Sequence, residues 1–232
     1  MAKRILVCED ESAIRDFVVL NLQKNGFEVR EAETGEAALR IFSEENGDFL
    51  VALLDLMLPG IDGLAVCREL RKADPHLGII MLTARSQEAD KIDALSQGAD
   101  DYVTKPFSPS ELMARVTSLC RRVELNTGRA TVTDRIGQGD CVLDLRRRRF
   151  EKKGEPIELT QVEFQILEFL LSNNGKPVDR RDILRHVWGS SYYGEEKIVD
   201  VNIRRLRMKI EDEPGAPKHI LTVWGRGYKW QN

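Results

Sequence analysis

No apolar run in the 232 residues approaches the ~18 needed to span a bilayer. The opening stretch Met1-Ala2-Lys3-Arg4-Ile5-Leu6-Val7-Cys8 meets the acidic Glu9-Asp10-Glu11 before a signal-peptide apolar region can form. A cytoplasmic protein with no membrane partner is expected. The four cysteines, Cys8, Cys67, Cys120 and Cys141, form no Cys-x-x-Cys pair. They lie mostly in apolar stretches, which argues against a zinc site or a disulfide framework and for reduced, buried thiols. Internal repeats and low-complexity tracts are absent from the sequence. Neither sign of charge dominates, because 35 Lys+Arg face 38 Asp+Glu for a net charge of -3. With 42% hydrophobic and 31% charged residues, the chain has the composition of a globular protein, long enough for one large domain or two ordinary ones.

Charge becomes informative when the chain is cut near residue 122. Residues 1 to 122 carry 15 Lys+Arg against 21 Asp+Glu (net -6), and residues 123 to 232 carry 20 against 17 (net +3). An acidic half followed by a mildly basic one suggests a regulatory or metal-binding unit joined to a unit that meets a polyanion. The segment 123 to 133 is polar and lacks periodicity, so it reads as a linker between a first domain at 1 to 122 and a second at 134 to 232.

In the first half, short apolar runs alternate with stretches of helical periodicity: 5 to 7 then 12 to 25, 28 to 30 then 35 to 43, 50 to 54 then 64 to 73, 79 to 82 then 87 to 97, and 102 to 103 then 109 to 122. Five such βα units predict an α/β fold with a doubly wound, five-stranded parallel sheet. Gly26 and Gly98 sit where helices should end, and Ser108-Pro109-Ser110-Glu111 supplies a helix start. Polar residues follow the strands: Glu9 and Asp10 after the first, Asp55 after the third, Thr83 after the fourth and Lys105 after the fifth. The carboxyl ends of parallel strands converge on one crevice. Three carboxylates gathered there demand a cation, and an all-oxygen donor set without His or Cys suits Mg²⁺. With the Thr83 hydroxyl and the Lys105 ammonium added, the crevice can hold a phosphoryl group, with Asp55 as the carboxylate nucleophile. A magnesium phosphohydrolase of the haloacid dehalogenase type is disfavoured, because it needs a second Asp two residues after its nucleophile and that position is Met57.

The motifs Val7-Cys8-Glu9-Asp10-Glu11, Leu53-Leu54-Asp55-Leu56-Met57-Leu58-Pro59-Gly60, Met81-Leu82-Thr83-Ala84-Arg85 and Gly98 to Phe107 resemble the receiver domain of two-component response regulators throughout residues 1 to 122. The resemblance implies that a sensor histidine kinase phosphorylates Asp55. It implies a Mg²⁺ ion held by Asp10, Asp55 and the main-chain carbonyl of Met57, with Glu9 assisting. Thr83 and Tyr102 become a switch pair, Lys105-Pro106 a cis peptide, and Met57 with Arg85 the flanks of the path taken by a hydrolysing water. It also implies that the helix at 87 to 97, the strand at 102 to 103 and the helix at 109 to 122 form a two-fold homodimer, pairing Lys91 with Glu111 and Asp101 with Arg115 around Ile92, Leu95 and Ala114. Gln97 stands where the subfamily often has an acidic partner for Arg122.

The second half reads as α+β. Short alternating strands around 135 to 159 lead into Thr160-Gln161-Val162-Glu163, a capping box that opens an amphipathic helix. Helices at 179 to 188 and 198 to 211 follow, then a ribbon at 220 to 230 turning at Gly225-Arg226-Gly227. The third helix places Val199, Ile203, Leu206 and Ile210 on its core face and carries Lys197, Arg204, Arg205, Arg207 and Lys209 elsewhere. Together these make a winged helix-turn-helix. Leu159 to Phe164, Val187-Trp188-Gly189, Val199 to Arg207 and Gly225-Arg226-Gly227-Tyr228 resemble the OmpR/PhoB winged-helix effector over about 135 to 231. By that resemblance Lys197, Val201, Asn202 and Arg205 are base-side positions, Arg204, Arg207, Lys209 and Lys229 phosphate contacts, and Arg226 a minor-groove contact. Trp224 stands where the family usually has Arg, which removes one backbone contact. Tyr192 and Tyr193 lie in a loop that in relatives can touch RNA polymerase. The two halves together imply a transcription factor that dimerises on phosphorylation and binds tandem half-sites on double-stranded DNA about one helical turn apart. The rival within the binding class is a regulator that binds DNA independently of phosphorylation.

Overall fold

The computed structural model describes residues 3–84, 97–124, 135–145, 147–189, 192 and 195–231. The chain divides into two compact units, Met1–Glu124 and Leu125–Asn232. In the first unit the order is β1 (Arg4–Cys8), α1 (Ser12–Lys24), β2 (Glu28–Ala32), α2 (Gly35–Glu44), β3 (Val51–Asp55), α3 (Gly63–Ala73), β4 (Gly78–Thr83), β5 (Asp101–Thr104) and α4 (Pro109–Glu124). The strands form one parallel sheet in the order β2-β1-β3-β4-β5. The helix expected at 87 to 97 lies, but for Gln97, outside the described residues, as do Lys91, Ile92, Leu95 and Arg85.

Both faces of the sheet are buried, which is why β3 (Val-Ala-Leu-Leu-Asp) and β4 (Gly-Ile-Ile-Met-Leu-Thr) need no polar alternation. On one side Val18 and Leu22 of α1 and Leu112, Val116 and Leu119 of α4 close over Ile5, Leu53, Ile80 and Val103. Burying each such side chain contributes about 1.5–3 kcal/mol. Gly26, just after α1, has φ +83 and Gly98 has φ +124, both in the region that favours glycine. Helix α4 starts as its sequence asks, the Ser108 hydroxyl accepting from the Glu111 amide at 3.1 Å. It runs to Glu124, so residues 123 and 124, expected in the linker, are helical. Nothing from Arg121 to Glu124 breaks a helix. The remaining linker positions, 125 to 133, lie outside the described residues.

The second unit opens with an antiparallel sheet of β6 (Arg135–Gln138), β7 (Cys141–Asp144), β8 (Arg149–Lys152) and β9 (Glu155–Ile157). Helices α5 (Gln161–Ser172), α6 (Arg180–Trp188) and α7 (Lys197–Ile210) follow, and the hairpin of β10 (Ile220–Val223) and β11 (Gly227–Trp230) ends it. The capping box at α5 forms in both directions, Glu163 N to Thr160 Oγ1 and Thr160 N to Glu163 Oε2. Val199, Ile203, Leu206 and Ile210 are buried, as their spacing predicts, with Ile166, Leu170, Ile183 and Trp188. The hairpin is pinned to the chain two residues before α6 by paired hydrogen bonds between Val178 and Tyr228. That approach requires Gly227, because a Cβ there would lie 2.1 Å from the Val178 carbonyl oxygen.

Candidate functional sites

At the carboxyl end of the parallel sheet the structure brings together Glu9, Asp10, Asp55 and Lys105. Lys105 Nζ donates to Glu9 Oε1 at 2.8 Å and to Asp55 Oδ2 at 2.7 Å. The other Asp55 oxygen accepts from the Met57 amide at 3.1 Å. Asp55 and Glu9 are buried and Asp10 is exposed. One oxygen from each of Glu9, Asp10 and Asp55 lies within 4.8 Å of the others. These groups, with Met57, Ala84, Ile14, Phe17 and Phe107, line an open cavity of about 750 Å³.

The charges are strongly felt there. Burial pushes the Glu9 carboxyl up to about 7, aided by the Asp55 charge and opposed by the Lys105 hydrogen bond. Burial alone would lower the Lys105 ammonium, but hydrogen bonds to Asp55 and Glu9 outweigh it and hold Lys105 above its ordinary value. Burial, with the Asp55 and Glu9 charges added, pushes the neighbouring Cys8 thiol up to about 12, so it stays a protonated core residue. The donor set fits a hard divalent cation: three carboxylates, no nitrogen or sulfur ligand, and a buried Glu9 whose ionised form would gain from positive charge beyond that of Lys105.

Thr83 and Tyr102 are both buried, and the register of β4 with β5, Met81 opposite Tyr102 and Thr83 opposite Thr104, sets them on the same face of neighbouring strands. The Lys105-Pro106 bond is cis. Two residues that sequence reasoning passed over build the site. Arg15, 9% exposed, donates to the main-chain oxygens of Glu9 (2.8 Å) and Asp10 (3.4 Å) and reaches Glu33 with its other arm at 2.8 Å. A signal was available, since Arg15 shares the buried α1 stripe with Val18, Val19 and Leu22. Gly63 lets α3 close onto the end of β3, where any Cβ would stand 2.0 Å from the Asp55 carbonyl oxygen.

Three residues expected at a dimer interface, Asp101, Glu111 and Arg115, meet within the chain. Arg115 donates to Asp101 at 3.0 Å and to Glu111 at 3.1 Å, with the Asp101 and Arg115 side chains 1% and 9% exposed. Ala114 is exposed on α4.

In the second unit Lys197 and Arg204 of α7 are exposed, as is Arg226 at the hairpin tip, and Lys229 is half-buried. The base-side expectation is corrected at two positions. Asn202 is fully buried, its amide donating to the Ile198 carbonyl at 2.8 Å and its oxygen accepting from Arg205 at 3.3 Å. Val201, 7% exposed, offers little apolar surface to a base. The stripe Ile198, Asn202, Arg205, Lys209 turns toward the start of α5, where the buried Glu163 carboxylate takes Arg205 Nε at 3.1 Å and Lys209 Nζ at 2.7 Å. Arg207 is likewise engaged, donating to the Ile220 carbonyl and to Thr222 Oγ1 and so tying α7 to β10. Asp200 Oδ1 accepts from Tyr228 at 2.6 Å and from Arg180 at 2.7 Å, tying α7 to β11 and α6. Tyr192 packs near Trp188, ring centroids 6.0 Å apart, and Tyr193 lies outside the described residues. No helix among the described residues is long and apolar enough to cross a membrane.

Comparison with known proteins agrees with both halves. The family model of the response regulator receiver domain matches residues 5–117, and that of the C-terminal domain of transcriptional regulatory proteins matches residues 154–230. A solved variant of RitR is 28% identical, each chain covered to 99%, with a TM-score of 0.80. The response regulator DrrB of Thermotoga maritima, an OmpR/PhoB homologue, is 35% identical over all of both chains with a TM-score of 0.52. A receiver domain protein of Methanospirillum hungatei is 31% identical, covering 54% of this chain and 98% of its own, with a TM-score of 0.51. A parallel sheet with an acidic crevice, joined to a winged helix and matched end to end by such a relative, establishes that this chain belongs to the OmpR/PhoB family of two-component response regulators, with a receiver and a DNA-binding domain that regulates transcription.

Proposed function

We propose that the chain is a phosphorylation-switched transcription factor whose phosphoacceptor is Asp55. The observation that carries the reading is the Asp55 carboxylate at 2.7 Å from Lys105, with oxygens of Glu9 and Asp10 within 4.8 Å. A carboxylate oxygen of Asp55 attacks the phosphorus of a histidine kinase's phosphohistidine, the P–N bond breaks, and the imidazole leaves with its electron pair. Lys105 then has a phosphoryl oxygen to pair with as well as carboxylates, and the Thr83 hydroxyl donates to another. Glu9, Asp10, Asp55 and the Met57 carbonyl would hold Mg²⁺, which when bound supplies positive charge to the phosphoryl oxygens. Thr83 moving toward the new group alters the space beside Tyr102, and the face carrying Asp101, Glu111, Ala114 and Arg115 becomes a two-fold dimer contact. Two DNA-binding domains brought together bind tandem half-sites about 10 base pairs apart, with Lys197, Arg204, Arg226 and Lys229 nearest the duplex.

The test is to incubate the protein with a small-molecule phosphodonor, with and without Mg²⁺, and to read intact mass and light-scattering mass on the same samples. One base-labile, Mg²⁺-dependent adduct that Asp55→Asn abolishes, accompanied by doubling of the solution mass, is expected. An adduct surviving Asp55→Asn at full yield would mean another nucleophile, and no adduct at all would leave DNA binding without this switch.

A further inference from the structure

The tip of the hairpin carries the most exposed large apolar side chain among the described residues, Trp224, 92% exposed. The other two tryptophans, Trp188 and Trp230, are 1% and 2% exposed. An indole standing in water is unremarkable on a loose loop, but this one is held firmly. Arg226 N donates to the Val223 carbonyl at 2.9 Å and Gly225 takes φ +73, so residues 223 to 226 form a tight turn with Trp224 at its first corner. Below it Val223 pairs with Gly227 and Thr222 with Tyr228, and the Tyr228 hydroxyl is fixed to Asp200 of α7 at 2.6 Å. Arg207 closes a second link from α7 to the Ile220 carbonyl and Thr222. The tip therefore keeps a fixed place relative to α7.

The ribbon is also charged for one kind of partner. From Ile220 to Gln231 it has no acidic residue and two basic ones, Arg226 and Lys229. The resemblance that seats α7 in a major groove gives Arg226 at the hairpin tip a minor-groove contact, and the ties from α7 to the hairpin hold Trp224 beside it. On an A·T floor that groove offers only acceptors, adenine N3 and thymine O2, whereas G·C adds the guanine N2 amine, a donor. The indole Nε1–H is a donor with no acceptor of its own, and its flat ring can pack on the sugar walls. It therefore suits A·T and meets an opposing donor at G·C. Arg226, one residue beyond the glycine, suits the stronger negative potential of narrow A·T grooves.

We propose that Trp224 is a specificity-determining DNA contact, which with Arg226 reads an A·T-rich minor groove beside the site of α7. The inference rests on the DNA-binding reading of the second domain. Trp224 thus does not forfeit the contact that an arginine at this position provides. It replaces a contact that reads charge with one that reads the groove floor.

The experiment uses full-length protein treated with a small-molecule phosphodonor and three short duplexes: alternating A·T, alternating G·C, and alternating I·C, in which inosine lacks the guanine amine. Acrylamide quenching follows Trp224 selectively because the other indoles are buried, and anisotropy of the labelled duplex gives affinity over a salt series. Saturation with the A·T duplex is expected to shield Trp224 from acrylamide. Trp224→Ala is expected to weaken A·T and I·C binding about 10-fold and G·C binding less than about 2-fold, with the salt slope unchanged. Arg226→Ala should instead lower the slope by about one. Wild-type binding to the A·T duplex with Trp224 still fully quenchable would overturn the inference, as would an equal loss on all three duplexes. Failure of the wild type to bind any duplex would remove the DNA-binding reading, and this inference with it.

Discussion

Replacing Glu163 by alanine removes a carboxylate that is fully buried and holds three donors: the Thr160 amide at 2.8 Å, Lys209 Nζ at 2.7 Å and Arg205 Nε at 3.1 Å. Breaking a buried ion pair by deleting one partner costs about 3–5 kcal/mol, because the remaining charge is stranded. Arg205 is 11% exposed and Lys209 35%, so Arg205 is stranded and Lys209 can turn to water, which places the loss at the lower end. The missing capping interaction adds about 1 kcal/mol. Urea denaturation of the full chain followed by tryptophan emission reports this unit alone, since Trp188, Trp224 and Trp230 all lie in it. With a urea slope of about 1.5–2 kcal/mol/M, a loss of about 4 kcal/mol moves the midpoint down by about 2 M. Glu163→Gln keeps an acceptor for Thr160 and should lose about half as much. The pH dependence follows from the same contacts. Burial alone would raise the Glu163 carboxyl, but the Arg205 and Lys209 charges outweigh it and hold it below the usual carboxylate range. A depressed carboxyl contributes stability that is fully present above the unfolded value of about 4.5 and is lost as pH falls through the folded value, so wild type and variant should converge in acid. A midpoint shift under about 0.5 M at neutral pH, or one that persists unchanged in acid, would refute the assignment of Glu163 as the anchor of α7.

Gly63→Ala would put a methyl group 2.0 Å from the Asp55 carbonyl oxygen, so either α3 or the end of β3 must shift. A loss of about 1–3 kcal/mol in the receiver by hydrogen exchange is expected, with slowed adduct formation at Asp55, and an alanine variant that phosphorylates at the wild-type rate would refute this tight approach. His186 stacks on Phe169, ring centroids 4.1 Å apart, and burial holds it below its ordinary value despite the Glu168 charge. Its stabilising contribution is therefore present above about pH 6.5 and is lost as pH falls through its folded value. The urea midpoint of the tryptophan-bearing unit should drop over that interval in the wild type and less in His186→Phe, and parallel profiles would discount the histidine.

What the sequence discloses depends on whether a residue's partner lies nearby in the chain. The apolar runs of β3 and β4, the start signal Ser108 to Glu111 and the Thr160 to Glu163 box are local, and each formed as read. The acidic crevice was legible because strand order alone converges Glu9, Asp10, Asp55 and Lys105. Asn202 was misjudged because helical periodicity separates a core face from the rest but does not show that the stripe beside the core, Asn202 with Arg205 and Lys209, meets Glu163 from another helix. Arg15 was passed over because a charge on an apolar stripe is legible only once its acceptors, the carbonyls of Glu9 and Asp10, are known to curl over it.

The same limit bears on dimerisation. Asp101 and Arg115 were expected to pair across two chains, yet they pair within one, both buried, with Glu111 on the second arm of the guanidinium. A dimer that uses these groups must then exchange an existing buried pair for an equivalent one, and such an exchange supplies orientation with little net energy. The energy of association has to come from newly covered apolar surface, Ala114 among it, while the charges decide register. Arg115→Ala should consequently do two things at once. It strands Asp101, 1% exposed, and should cost the receiver about 3–5 kcal/mol, visible as faster exchange of the amides of β5 and α4 in the unphosphorylated monomer. It should also abolish the doubling of light-scattering mass on phosphorylation. If the dimer is lost while monomer exchange at β5 stays at the wild-type rate, the pair within the chain contributes nothing to the receiver, and the charges belong to the interface alone.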